Sequence, residues 1–558
     1  MKSNKLVIYQ ILARLFGADC KSESACGKLA NLNNKALQEI RELGVTDIWL
    51  TGVIRHASGT AYPSIGIEAS HPDLLKGKAG SPYAIRDYYD IDPDLAVDPE
   101  KRMEEFDSLI ARARNYHLGV FIDFVPNHVS RDYESLNLPE GIENFGTSDR
   151  TDINFDPDNN FYYLPGQLLK LQKKGKRRKK SEYYHENPAK ATGNDVFHNS
   201  PSVNDWYETI KLNYGTDYEK GNDCFYPIPD TWSKMIHILS FWSGKGIRGF
   251  RCDMAGMVPL AFWQFAIPAI KVNYPDIIFI AEIYEPHKYW DFTQAGFDYL
   301  YDKVGLYDTT RAIIEGHETS HAISEVWKSL NGLDSKMIRF LENHDEQRIA
   351  SPFFANNPWK GLPGVALAAL MNTGPVMIYF GQELGEPASG STGYSGDDGR
   401  TSIFDYTCVP ELTKWMNDGL FDANKLSENH QNLRKAYQQV LLFASRNPIF
   451  STGHFYDLMW INEDLPTEIR NYIYAFLRYS GQEIYLIAIN FSADISEVNI
   501  RLSEHTLQEL GARGQERFRI KSLHPAQAEQ LLLTSQITSK GVRMVFDQTS
   551  WSVAKLEL

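Results

Sequence analysis

Short apolar runs alternate with longer amphipathic stretches over residues 1–127, and the same rhythm returns over 231–447. Residues 6–12, 45–50 and 120–124 are brief and apolar-rich, which predicts buried strands. Between them, Leu37, Ile40 and Leu43 share one helical face ahead of Gly44. Asp98 and Pro99 open a second helix whose stripe is Met103, Phe106, Leu109, Ile110 and Ala113, ended by Gly119. Further along, the pattern predicts helices at about 232–242, 257–271, 319–330, 362–371 and 427–447. Strands are predicted at 246–252, 277–281, 297–301, 337–341 and 376–380. Eight strand–helix units predict an α/β chain closed as a (β/α)8 barrel, the TIM-barrel fold.

Two regions break the rhythm. Residues 128–230, following the third strand, are rich in Asp, Asn, Pro, Tyr and Lys and read as an inserted unit. Its aromatic pairs, Tyr162-Tyr163, Tyr183-Tyr184 and Trp206-Tyr207, either wall a cleft or hold the insert together. Residues 51–97 and 381–400 read as long loops. Over 448–558, short alternating runs at 473–477, 484–489, 498–500 and 542–546 predict a C-terminal antiparallel β-sandwich domain.

Chemistry gathers at the strand ends. The run 246–253 ends in Arg251-Cys252-Asp253, and strand C-termini form the active-site face of such barrels. An arginine two residues from an aspartate favours the charged carboxylate, and a charged carboxylate can attack carbon. The octapeptide alone reads equally as a structural ion pair. Three more strand ends carry acids or histidines: Asp123 to His128, Ala281 to Tyr284, and Phe340 to Asp345. His128 and His344 also admit a reading as satisfied core histidines.

Composition narrows the class. The chain has 558 residues, enough for a large catalytic unit plus an accessory one. A net charge of −14 argues against a nucleic-acid partner. The basic run at 173–180 is read as a solvated loop, with a nucleic-acid patch as the minority reading. No stretch is long and apolar enough for a membrane span, so no membrane partner is expected. Five cysteines imply no disulfide framework, although Cys20 and Cys26 are close enough in sequence to pair. The start of the chain reads as a first strand and not a signal peptide, so a cytoplasmic protein is expected.

In order, DFVPNH (123–128), GFRCDMAGM (249–257), AEIYEP (281–286) and FLENHDE (340–346) resemble the four signature regions of the α-amylase family, glycoside hydrolase family 13. The likeness covers roughly residues 5–445. It implies a retaining hydrolase of α-1,4-glucosidic bonds in starch-type glucans or maltooligosaccharides. It also implies Asp253 as nucleophile, Glu282 as general acid/base and Asp345 as the third acid. Arg251 would keep Asp253 ionised, while Tyr83, His128 and His344 would hold the sugar. Asn127 matches a calcium ligand of the family, which leaves calcium open and requires no cofactor. Gly256 and Met257 stand where many members carry Lys-His, a sugar contact and part of a calcium site. Two alternatives stay open: a transglycosylase or isomerase (trehalose synthase-like or α-glucosidase-like), and a non-catalytic glucan-binding relative. Oligomeric state is left open.

Overall fold

The computed structural model describes residues 5–22, 25–171, 183–390 and 396–557. The basic run at 173–180 lies outside the described residues. Val7–Leu12, Asp47–Thr51, Gly119–Phe124, Gly249–Cys252, Ile278–Ala281, Tyr299–Tyr301, Met337–Ile338 and Val376–Tyr379 form one eight-stranded sheet. Neighbouring strands run parallel throughout. A parallel bridge between Arg339 and Val376 closes the seventh strand onto the eighth.

Side chains alternate across this wall, as the pleat demands. Ile8, Trp49, Phe121, Ile278, Ile280, Ile338 and Met377 form a small separate cluster, the filled interior of the barrel. Val7, Tyr9, Ile48, Val120, Phe279 and Ile378 join the large core packed under the helices. Helices Asn34–Glu42, Arg102–Asn115, Asp230–Gly244, Leu260–Asn273, Ala322–Ser329, Leu362–Leu370 and Glu428–Arg446 follow the predicted stripes within a few residues. Asn33 and Ser427 cap the first and last of these by accepting from backbone N–H groups.

Some local expectations need correcting. The seventh strand is shorter than expected: it spans Met337–Ile338, Arg339 adds only a single bridge to Val376, and Phe340 and Leu341 are buried by packing. The expected loop after the second strand holds an antiparallel pair, Ile54–His56 with Ile85–Ile91. Its charges hid it: Asp87 and Asp90 are buried, paired with Arg55 and Arg102. Cys20 bonds Cys408, not Cys26, and so joins the loop after the first strand to the loop after the eighth.

The insert is knitted by short ladders. His128–Ser130 pairs with Thr209–Lys211, and Tyr163–Leu164 pairs with Ala189–Lys190. Most of its aromatics hold it together, Tyr162 packing with Phe155, Phe197 and Tyr218. At the C-terminus, His454–Asp457, Ile473–Ser480, Glu483–Asn490, Trp551–Glu557, Arg517–His524 and Gln530–Leu533 form a six-stranded antiparallel sheet in that order. Glu497–Ile500 and Val542–Val545 make a separate antiparallel ladder. The Arg478 guanidinium donates to the carbonyls of Met371, Ile449 and Gly453, tying this sheet to the barrel. Among the described residues, no helix is long and apolar enough to cross a membrane.

Candidate active site

Strand parity sets the first two acids. Arg251 and Asp253 lie two residues apart on one face of the fourth strand line, as Ile280 and Glu282 do on the fifth. The ladder continues one step past each strand: Asp253 N–H donates to Phe124 O at 2.8 Å, and Glu282 N–H to Cys252 O at 3.1 Å. Asp345 follows the seventh strand, where the Asn343 side chain accepts from the N–H groups of Asp345 and Glu346. Met254, the residue after Asp253, is left-handed at φ 43°. That strained turn aims its N–H at Glu282 Oε2, 2.6 Å away.

Asp253, Glu282, Asp345, Tyr83, His128 and His344 line one cavity of about 300 Å³. Beneath its floor lies Arg251, 1 % exposed. Its Nη1 is 2.7 Å from Asp253 Oδ1 and its Nη2 is 2.6 Å from Glu282 Oε1. Asp123 Oδ1 is 3.4 Å from the same Nη1. The rings of Trp49, Tyr83 and Tyr301 surround the guanidinium. The Tyr284 hydroxyl donates to Glu282 Oε1 at 2.6 Å. Gln10 donates to His344 Nδ1 at 2.8 Å, so His344 Nε2 carries the hydrogen. That nitrogen is 2.6 Å from the Tyr83 hydroxyl and 3.2 Å from Asp345 Oδ2. The Asp345 side chain is the open one of the three acids, 45 % exposed. A larger groove, about 890 Å³, lies between Ala322–Ser329 and the C-terminal sheet and contains none of these residues.

Electrostatics here are governed by burial. It pushes the Asp253 carboxyl well up, with Glu282 and Asp123 adding to it and Arg251 opposing. It pushes Asp123 up to about 7. It pushes His128 and His344 down to about 3, helped by Lys211 and Lys76 at His128 and by Arg251 at His344. Arg251 does draw the Asp253 carboxyl down, in the direction of the expectation that it keeps Asp253 ionised, but burial is the larger influence there. The cation is shared between two carboxylates.

Asn127 lies outside this cavity. Its Oδ1 accepts from Lys211 Nζ at 2.9 Å, and Lys211 also pairs with Asp195 at 2.5 Å. Asn127 Nδ2 donates to Gly193 O. An ammonium thus sits on the one oxygen offered as a calcium ligand, and these residues do not fit a calcium ion.

Sequence reading did not single out Lys76, Glu208, Thr209, Met254, Tyr284, Ile403 and Phe404, which also line the cavity, and left Trp206 open as a cleft wall or a packing residue. Tyr284 was within reach, standing two residues after Glu282 on the same face. Trp206 was visible as one of an aromatic pair, and it packs against the His128 ring at 5.1 Å. Thr209 opens the short strand Thr209–Lys211 and Met254 forms the turn after the fourth strand, while Lys76, Glu208, Ile403 and Phe404 come from loops with no periodic signal.

Residues 10–449 match the family model described as "Alpha amylase, catalytic domain". Alpha-amylase 3 of Dictyoglomus thermophilum is 21% identical over 526 residues, covering 88% of each chain. Maltase A2 of Drosophila melanogaster is 23% identical over 365 residues, 63% of this chain and 50% of that one. Among solved structures, an α-amylase from Geobacillus thermoleovorans complexed with acarbose matches at TM-score 0.61 and 19% identity. It covers 99% of this chain and 98% of that one, a likeness of fold. A match spanning most of the chain, on a closed parallel barrel, makes this protein a member of the alpha-amylase family.

Proposed function

We propose that the chain hydrolyses α-1,4-glucosidic bonds of starch-type glucans or maltooligosaccharides with retention, by double displacement. One observation carries this reading: Asp253 and Glu282 contact adjacent nitrogens of a single guanidinium at the cavity floor. That closeness suits a retaining pair, about 5–5.5 Å apart, better than the wider gap that an inverting pair leaves for water. In the reactive form the proton of this pair sits on Glu282 and Asp253 is charged, held by Arg251 Nη1 at 2.7 Å; Asp253 attacks the anomeric carbon while Glu282 protonates the departing glycosidic oxygen. A covalent glucosyl ester forms on Asp253. Glu282 then takes a proton from water, which attacks the same carbon from the opposite face and frees Asp253.

Asp345, open to the cavity mouth, accepts sugar hydroxyls, and the neutral rings of His128 and His344 hydrogen-bond the ring without adding charge. Tyr83 lies stacked against His344 and supplies an apolar face for the sugar. A compartment more oxidising than the cytoplasm suits the Cys20–Cys408 bond.

The test is the anomeric form of the first product from maltotriose, followed by NMR. An α-configured product is expected, and a β-configured one ends this mechanism. Asp253→Asn and Glu282→Gln should each lower kcat by about a thousandfold or more.

A further inference from the structure

Glu208 lines the catalytic cavity from the insert and is 2 % exposed. Its Oε1 is 2.9 Å from Lys76 Nζ, a cation from the loop ahead of Tyr83. Its Oε2 is buried and has no hydrogen-bond partner among the described residues. A buried carboxylate oxygen left without a donor costs about 1–3 kcal/mol, and more when charged. The fold does not relieve this cost, although it holds the residue firmly. Arg131 N–H donates to the Glu208 carbonyl at 2.9 Å, and the next residue, Thr209, starts the strand paired with His128–Ser130. The Tyr207 hydroxyl donates to Leu75 O, which fixes the insert to the Lys76 loop. Lys76 also lies near the Phe404 and Tyr207 rings. Three segments thus converge to hold one carboxylate against the space that Asp253, Glu282 and Asp345 share.

We infer that Glu208 positions substrate: its Oε2 accepts a hydrogen bond from a hydroxyl of the bound sugar, while Lys76 holds its Oε1. This deepens the α-glucan reading and rests on it. A sugar hydroxyl is a neutral donor that brings no countercharge of its own. It satisfies the orphaned oxygen without displacing Lys76 from the other one. A charged acceptor at this wall also binds a hydroxyl more strongly than a neutral amide would. Glu208 takes no part in bond breaking, so its contribution is to affinity and to the choice of unit bound.

The experiment compares wild type with Glu208→Gln, which keeps the shape and leaves Lys76 a partner. Kinetics are measured on maltotriose and on a set of monodeoxy maltosides, with a melting curve for each protein. Glu208→Gln should raise KM for maltotriose about tenfold while kcat changes less than about threefold and the melting temperature stays within a few degrees. One monodeoxy maltoside should lose affinity in wild type and lose none further in Glu208→Gln. An unchanged KM, or deoxy losses identical in the two proteins, overturns the inference. If wild type fails to cleave maltotriose, the α-glucan reading fails instead.

Discussion

At the scale of single residues, the site shows how burial competes with charge. Asp123 contacts Arg251, yet its carboxyl is pushed up to about 7. In the unfolded chain an aspartate titrates near 3.9. A folded value above the unfolded one means that Asp123 supports the fold below about pH 4. That support is lost as the pH rises through about 7. Asp123→Asn removes the dependence. Its melting temperature relative to wild type should therefore climb between pH 4 and 7 and level off beyond. A constant offset across that range would contradict the assignment. The same competition explains what sequence could not reveal at Asp253. Spacing showed the arginine two positions away, but the burial of that guanidinium depends on Trp49, Tyr83 and Tyr301, brought together from three other segments.

At the scale of elements, the walls of the cavity are loops fastened to one another. Gly77 has φ 63°, and a Cβ there would lie 2.2 Å from Phe404 O. This close approach lets the Lys76 loop lie along residues 403–405, where Ala79 N–H donates to Phe404 O and Lys78 N–H to Asp405. Gly77→Ala should destabilise the chain by about 1–3 kcal/mol, read as a lower melting temperature. It should also raise KM for maltotriose, because both loops line the cavity. The barrel strands were legible as short apolar runs, buried on both faces, and the helices as apolar stripes repeating near every four residues. The Ile85–Ile91 strand was not, because Asp87 and Asp90 read as loop until their arginine partners are placed. Arg517–His524 was missed for a related reason: four of its eight residues are Arg, Lys or His, although Phe518 and Ile520 alternate inward. The acids at the strand ends were visible through their order along the chain. Lys76, Glu208 and Phe404 carry no such order.

At the scale of the whole molecule, three joints hold the parts. Arg478 grips carbonyls at the barrel's edge, Lys211 grips Asn127 from the insert, and Cys20–Cys408 links the first and last barrel loops. At the second joint the chain supplies its own cation. A calcium chelator should leave the melting temperature of wild type unchanged. Lys211→Met should lower it by a few degrees, since Asn127 Oδ1 loses its donor at about 1–3 kcal/mol. A drop on chelation would contradict this account of the joint. The third joint spans 388 positions of sequence. A single protease cut anywhere inside that span yields two pieces that migrate as one until a reductant parts them.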